Sequence, residues 1–84
     1  MIQVISCFVL IECKRRSYLE SIITELRKLD GVSSIHKIIK GGPYDLLLKI
    51  NGYDRNELGD KVSVISKFNK VNMTVSLIIS SPSE

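Results

Sequence analysis

The chain has 84 residues, 44% of them apolar, and a net charge of +3. A chain of this length forms one domain and buries only about 60% of its unfolded surface, so it is marginal alone. No run reaches the ~20 apolar residues of a membrane span, and residues 1–13 lack the basic leader and cleavage site of a secretory signal, which points to a cytoplasmic protein away from membranes. Apolar surface at this density is worth roughly 25 cal/mol per Å² when buried, and a subunit interface is its obvious cover.

The elements follow in order. A first strand is expected over Ile2–Glu12. It carries Cys7, and Cys13 follows it, six residues on and on the same face. The two lack C-x-x-C spacing and a neighbouring His cluster, so they read as thiols in a reducing compartment rather than metal ligands. Lys14-Arg15-Arg16 is the one basic run and reads as a solvated loop. A helix is expected over Tyr18–Leu29, with Ser17 and Glu20 at capping-box spacing. Leu19, Ile22, Ile23, Leu26 and Leu29 form its apolar stripe. Asp30-Gly31 ends it.

A second strand is expected over Val32–Lys40, and Gly41-Gly42-Pro43 turns the chain into a third, Tyr44–Asn51. The next helix is expected over Arg55–Phe68. Asp54 and Glu57 repeat the capping spacing, and Leu58, Val62, Ile65 and Phe68 form the stripe. Val71–Ile79 is the last strand. Residues 1–80 form the domain, and 81–84 are a polar tail.

The halves echo each other at an offset of 39. Leu19, Ile23, Leu26, Leu29 and Val32 align with Leu58, Val62, Ile65, Phe68 and Val71. The order predicts an α+β fold: a βαββαβ ferredoxin-like sandwich, with a four-stranded antiparallel sheet and two helices on one face. Alternation assigns Ile5, Cys7, Val9 and Ile11, then Tyr44, Leu46, Leu48 and Ile50, then Val71, Met73, Val75, Leu77 and Ile79 to the helix side. The open face receives Val4, Ser6, Phe8 and Leu10, then Asp45, Leu47 and Lys49, then Asn72, Thr74, Ser76 and Ile78. Phe8, Leu10, Leu47 and Ile78 are apolar on a face that no helix covers. This predicts dimerisation through that face.

Enzyme readings find little. His36, Asp45 and Lys49 form no visible constellation. The basic run has no glycine to cradle a phosphate. No basic helix, aromatic-basic stripe or helix-turn-helix supports contact with nucleic acid. The richer stretch is Gly41-Gly42-Pro43-Tyr44-Asp45, a stiff turn that admits a ligand close to the backbone and offers a carboxylate. Thr74 and Ser76 add hydroxyls on the same expected face. A ligand bearing both an amine and a carboxylate would suit this set. Read as structure alone, it is a hairpin turn with ordinary strand residues.

Four pieces carry a family resemblance. They are Phe8-Val9-Leu10-Ile11-Glu12, Leu29-Asp30-Gly31-Val32, Gly42-Pro43-Tyr44-Asp45-Leu46 and Val71-x-x-Thr74-x-Ser76. In order and spacing they resemble the effector-binding (RAM) domain of the Lrp/AsnC transcription regulators, over almost the whole chain. The chain is similar to a stand-alone form of that domain, without the helix-turn-helix. The resemblance implies sheet-to-sheet dimers, higher homo-oligomers, and an amino acid or related metabolite bound between dimers. It implies no enzyme activity, no cofactor and no direct contact with DNA, with a full-length Lrp/AsnC regulator as a partner. Carried over, Gly42, Tyr44 and Asp45 form the turn side of the cleft, and Thr74 and Ser76 are the matching strand positions. Pro43 departs from this pattern in effect, because it removes a backbone donor from the turn. A purely structural oligomerisation module, or a small dimeric α/β-barrel enzyme, are the alternatives.

Overall fold

The computed structural model describes residues 4–39 and 42–79, with side chains in the last strand as far as Ser76. The elements are β1 (Ile5–Cys13), a 3-10 turn (Arg16–Tyr18), α1 (Leu19–Arg27), β2 (Val32–Lys37), β3 (Leu46–Gly52), α2 (Arg55–Ser66) and β4 (Val71–Ile79). The sheet order is β2-β3-β1-β4, and every neighbouring pair is antiparallel. Each β-α-β unit therefore spans one strand of the other unit, as the expected sandwich requires. Among the described residues no helix is long and apolar enough to cross a membrane.

The core lies between the sheet and the helices. Cys7, Val9 and Ile11 of β1 and Leu46, Leu48 and Ile50 of β3 are fully buried there. Leu19, Ile22, Ile23 and Leu26 of α1 close over them, with Leu58 and Ile65 of α2. The helical stripes and central-strand alternation thus fold as their periods dictate. Gly31, between α1 and β2, has φ +87°. A Cβ there would collide with the Lys61 ammonium and lie 2.8 Å from the Asn51 carbonyl oxygen.

Both helices stop two residues short of the expected ends. Leu29 N–H reaches back to Leu26 O, and Phe68 N–H to Ile65 O, each at 3.1 Å. These tighter i→i−3 bonds close the last turn and release the chain toward the next strand. The helix starts differ. Asp54 caps α2 through Glu57 N–H at 2.8 Å, and Glu57 Oε1 accepts from Tyr53 N–H at 2.8 Å. The Ser17–Glu20 box does not form: the chain enters α1 through the 3-10 turn, and Tyr18 takes the cap position with no side-chain bond.

The faces of β4 depart from strict alternation. Val71 lies opposite Cys13, but Met73 lies opposite Glu12, so Asn72 is an extra residue. This bulge inverts the strand beyond it. Thr74 and Ser76 lie opposite the buried Ile11 and Val9, on the helix side. Met73 and Val75 lie opposite Glu12 and Leu10 on the open face, 41% and 44% exposed. The expected placement of these four is therefore reversed. The open face carries Phe8, Leu10, Leu47, Met73 and Val75, and is more apolar than alternation predicts. The expectations for Ile2, Lys40, Gly41, Ser80 and the tail 81–84, and for the side chains of Leu77, Ile78 and Ile79, fall outside the described residues.

Candidate functional site

The β2–β3 loop is closed at its base by Ile38 N–H donating to Asp45 O at 2.8 Å. Gly42 has φ +73°, the left-handed turn conformation that glycine adopts without steric penalty. Gly42 and Pro43 are exposed, and Tyr44 is half-buried. Alternation places Tyr44 beneath the helices, but it is absent from the buried cluster and from the side chains packed against it. Tyr18 and Phe68 are the aromatic residues there.

Asp45 reaches across the sheet to the end of β1. Its N–H donates to Ile11 O at 2.8 Å, which anchors the start of β3. Its Oδ2 accepts from Cys13 N–H at 2.9 Å, and its Oδ1 accepts from Arg16 Nη1 at 2.7 Å. The Cys13 amide is where the β1 ladder ends, and the carboxylate satisfies it in place of a strand. Burial alone would raise the Asp45 pKa. The Cys13 amide and the Arg16 guanidinium outweigh it and hold the carboxyl below its ordinary value. Burial first, and then the same carboxylate, push the Cys13 thiol up to about 11. The thiol therefore stays protonated and a poor nucleophile at neutral pH.

The proposed site residues do not converge within one copy. Asp45 turns around the strand end toward Arg16. Thr74 sits on the helix side of β4, on the far flank of Ile11. Two strand spacings, about 10 Å, separate it from Leu46, the residue after Asp45. Several cavities open among the described residues. One of ≈330 Å³ lies between α1 and the α2–β4 turn, one of ≈350 Å³ beside Gly31 and Tyr53, and one of ≈210 Å³ along β2. None of these three is lined by Gly42, Tyr44, Asp45, Thr74 or Ser76.

Arg16 is the residue that sequence reasoning missed. Taken as a solvated loop cation, it is the ionic partner of Asp45. The topology held the signal: in a β-α-β-β-α-β sheet the end of β1 and the start of β3 meet at one end, and each carries one member of an opposite-charge pair. Among the described residues no three His, Cys, Asp or Glu side chains gather to hold a metal. No hydrogen bond or ion pair joins His36, Asp45 and Lys49 to one another.

The comparisons agree with this architecture. TTHA0845 from Thermus thermophilus is 27% identical and superposes with a TM-score of 0.82, over 95% of this chain and 98% of that one. AsnC of E. coli is 21% identical with a TM-score of 0.80, over 95% of this chain and 54% of AsnC. The Neisseria meningitidis transcriptional regulator NMB0573, solved as a complex with L-Met, is 20% identical with a TM-score of 0.78, over 95% of this chain and 52% of the regulator. The chain thus spans nearly all of the first and about half of the other two. No curated protein sequence matches it. The Lrp/AsnC ligand binding domain matches over residues 6–83, and the chain belongs to that family.

Proposed function

We propose that the chain is an effector-sensing assembly domain of the cytoplasm. It binds an amino acid or a related small metabolite and modulates transcription regulators without contacting DNA itself. The open sheet face carries this reading. Phe8, Leu10 and Leu47 are half-buried there, and Met73 and Val75 are exposed beside them. A second copy packed sheet to sheet would cover them. Gly42, Tyr44 and Asp45 would then form one wall of a cleft. Thr74 and Ser76, which lie away from Asp45 in a single copy, would be supplied by a neighbouring one. An effector ammonium would compete with Arg16 for Asp45. The Arg16 side chain is 58% exposed, so it has room to withdraw.

Light scattering tests the assembly. A dimer or larger mass is expected at micromolar concentration, with Val75→Asp shifting it toward monomer. A monomer mass for the unaltered chain refutes the assembly. Thermal shift against the twenty amino acids tests sensing, since a ligand at 100 times its Kd stabilises by about 2.7 kcal/mol. One observation favours a second reading, a structural oligomerisation module. Both Asp45 oxygens are already engaged within the chain. Oligomers that respond to no amino acid would decide for it.

A further inference from the structure

The basic run at 14–16 does not stand alone. Lys14 N–H donates to Lys70 O at 2.9 Å, so the β1–α1 turn lies against the α2–β4 turn. Together the stretches 14–16 and 67–70 hold five of the twelve Lys and Arg in the chain. Glu12, Glu25 and Asp45 lie at the same corner, so five cations there face three carboxylates and the corner is net positive. Arg16 is paired with Asp45. Among the described residues Lys14, Arg15, Lys67 and Lys70 form no ion pair.

Beside these charges runs the ≈330 Å³ groove, and its lining includes Ile22, Phe68, Ser21, Asn69 and Glu25. Ile22 is buried and Phe68 half-buried, which gives it an apolar floor. Lys70 stands on its rim, donating to Ser21 Oγ at 2.6 Å, with its ammonium 5.5 Å from the Tyr18 ring centroid. A concave apolar floor bordered by cations of one sign attracts an anionic partner that brings an apolar side chain.

We propose that this corner docks an acidic peptide segment of a partner protein, its carboxylates on Lys14, Arg15 and Lys67 and one aliphatic side chain in the groove over Ile22 and Phe68. The chemistry favours a peptide over a nucleic acid. Single strands are held by free aromatic faces on which bases stack. Here Tyr18 is covered by Lys70, and Phe68 packs against the core. Glu25 in the groove wall would also repel a continuous phosphate backbone, whereas a peptide can space its charges around it. The surface is separate from the open sheet face, so the proposal stands whether or not the chain dimerises.

Fluorescence anisotropy tests it with a labelled peptide of eight Asp and Glu residues around one central Leu. A second peptide has Ser at the centre, and an oligothymidylate of equal charge serves as comparator. Saturable binding of the Leu peptide is expected at low salt, several-fold weaker with Ser. Charge reversal by Lys14→Glu, Arg15→Glu and Lys67→Glu together should weaken it at least about tenfold. The same net-charge change made by Arg27→Glu, Lys49→Glu and Arg55→Glu should leave most of the affinity. An unchanged melting temperature for both triple variants excludes misfolding. Absence of saturable binding overturns the proposal. So does equal loss in the two variants, or tighter binding of the oligonucleotide.

Discussion

In the first half of the chain Lys28 and Leu29 N–H groups close α1 onto Glu25 O and Leu26 O. Thirty-nine residues later Lys67 and Phe68 close α2 onto Val64 O and Ile65 O. The correspondence continues into the following strands. Ser33 is the extra residue of a bulge in β2, because Val32 lies opposite Ile50 but Ser34 lies opposite Lys49. Asn72 holds the same place in β4. The helix entrances share none of this. Asp54 fastens α2 locally, whereas the entrance to α1 is fastened from the other half, by Asp45 on Cys13 and Arg16. The shared features are those that one half can satisfy alone. The divergent one joins the halves at the end of the sheet where the Gly42–Asp45 turn lies.

The core offers the largest test of that correspondence. Leu26 and Ile65 are equivalent and fully buried. Truncation of either to Ala should cost about 2–5 kcal/mol in urea unfolding. Costs that differ by more than the span of that range would break the equivalence.

The divergent entrance comes next. Asp45→Ala strands the buried Cys13 amide and should cost roughly 1–3 kcal/mol. Asp45→Asn keeps an acceptor but removes the charge, so its signature is in pH. The folded carboxyl lies below its ordinary value. Its contribution is thus complete above the unfolded pKa of about 3.9 and is lost as pH falls through the folded one. Unfolding curves from pH 6 downward should show a shallower acid loss in Asp45→Asn. An unchanged acid limb would remove Asp45 as the fastener.

The local entrance is weaker. Asp54→Ala should cost about 1 kcal/mol through the lost cap. Ser17→Ala, at a matching sequence motif that caps nothing, should stay within about 0.5 kcal/mol. A cost for Ser17→Ala equal to that of Asp54→Ala would mean that the two entrances work alike after all.

The sequence made much of this legible. Periods of two and 3.6 identified the central strands and both helical stripes, because those residues meet a solid core on one side only. The β4 bulge stayed hidden because Val71, Met73 and Val75 alternate without a break, and nothing in the pattern marks Asn72 as surplus. Its counterpart was visible. Val32 and Ile35 both pack on the core, yet they are three apart, a spacing that plain alternation forbids. The offset of 39 would have carried that signal to Asn72. Ser17 misled because capping spacing records what a side chain can reach, not which turn the chain enters by. Asp45 misled in another way. A carboxylate in a loop invites a ligand reading, and its intramolecular partners lie 29 and 32 residues away, visible once the strands are assembled.

The paired bulges bear on how this chain tolerates changes in length. Loss of one residue elsewhere in β2 or β4 would send every later side chain of that strand to the opposite face. Loss of Ser33 or Asn72 would not, since each is the surplus residue at which facing already switches. A chain shortened there would keep Ile35 inward and Met73 outward. The two edge strands each hold one spare residue at the same point after a helix, and deletions within them should survive at those two positions and nowhere between.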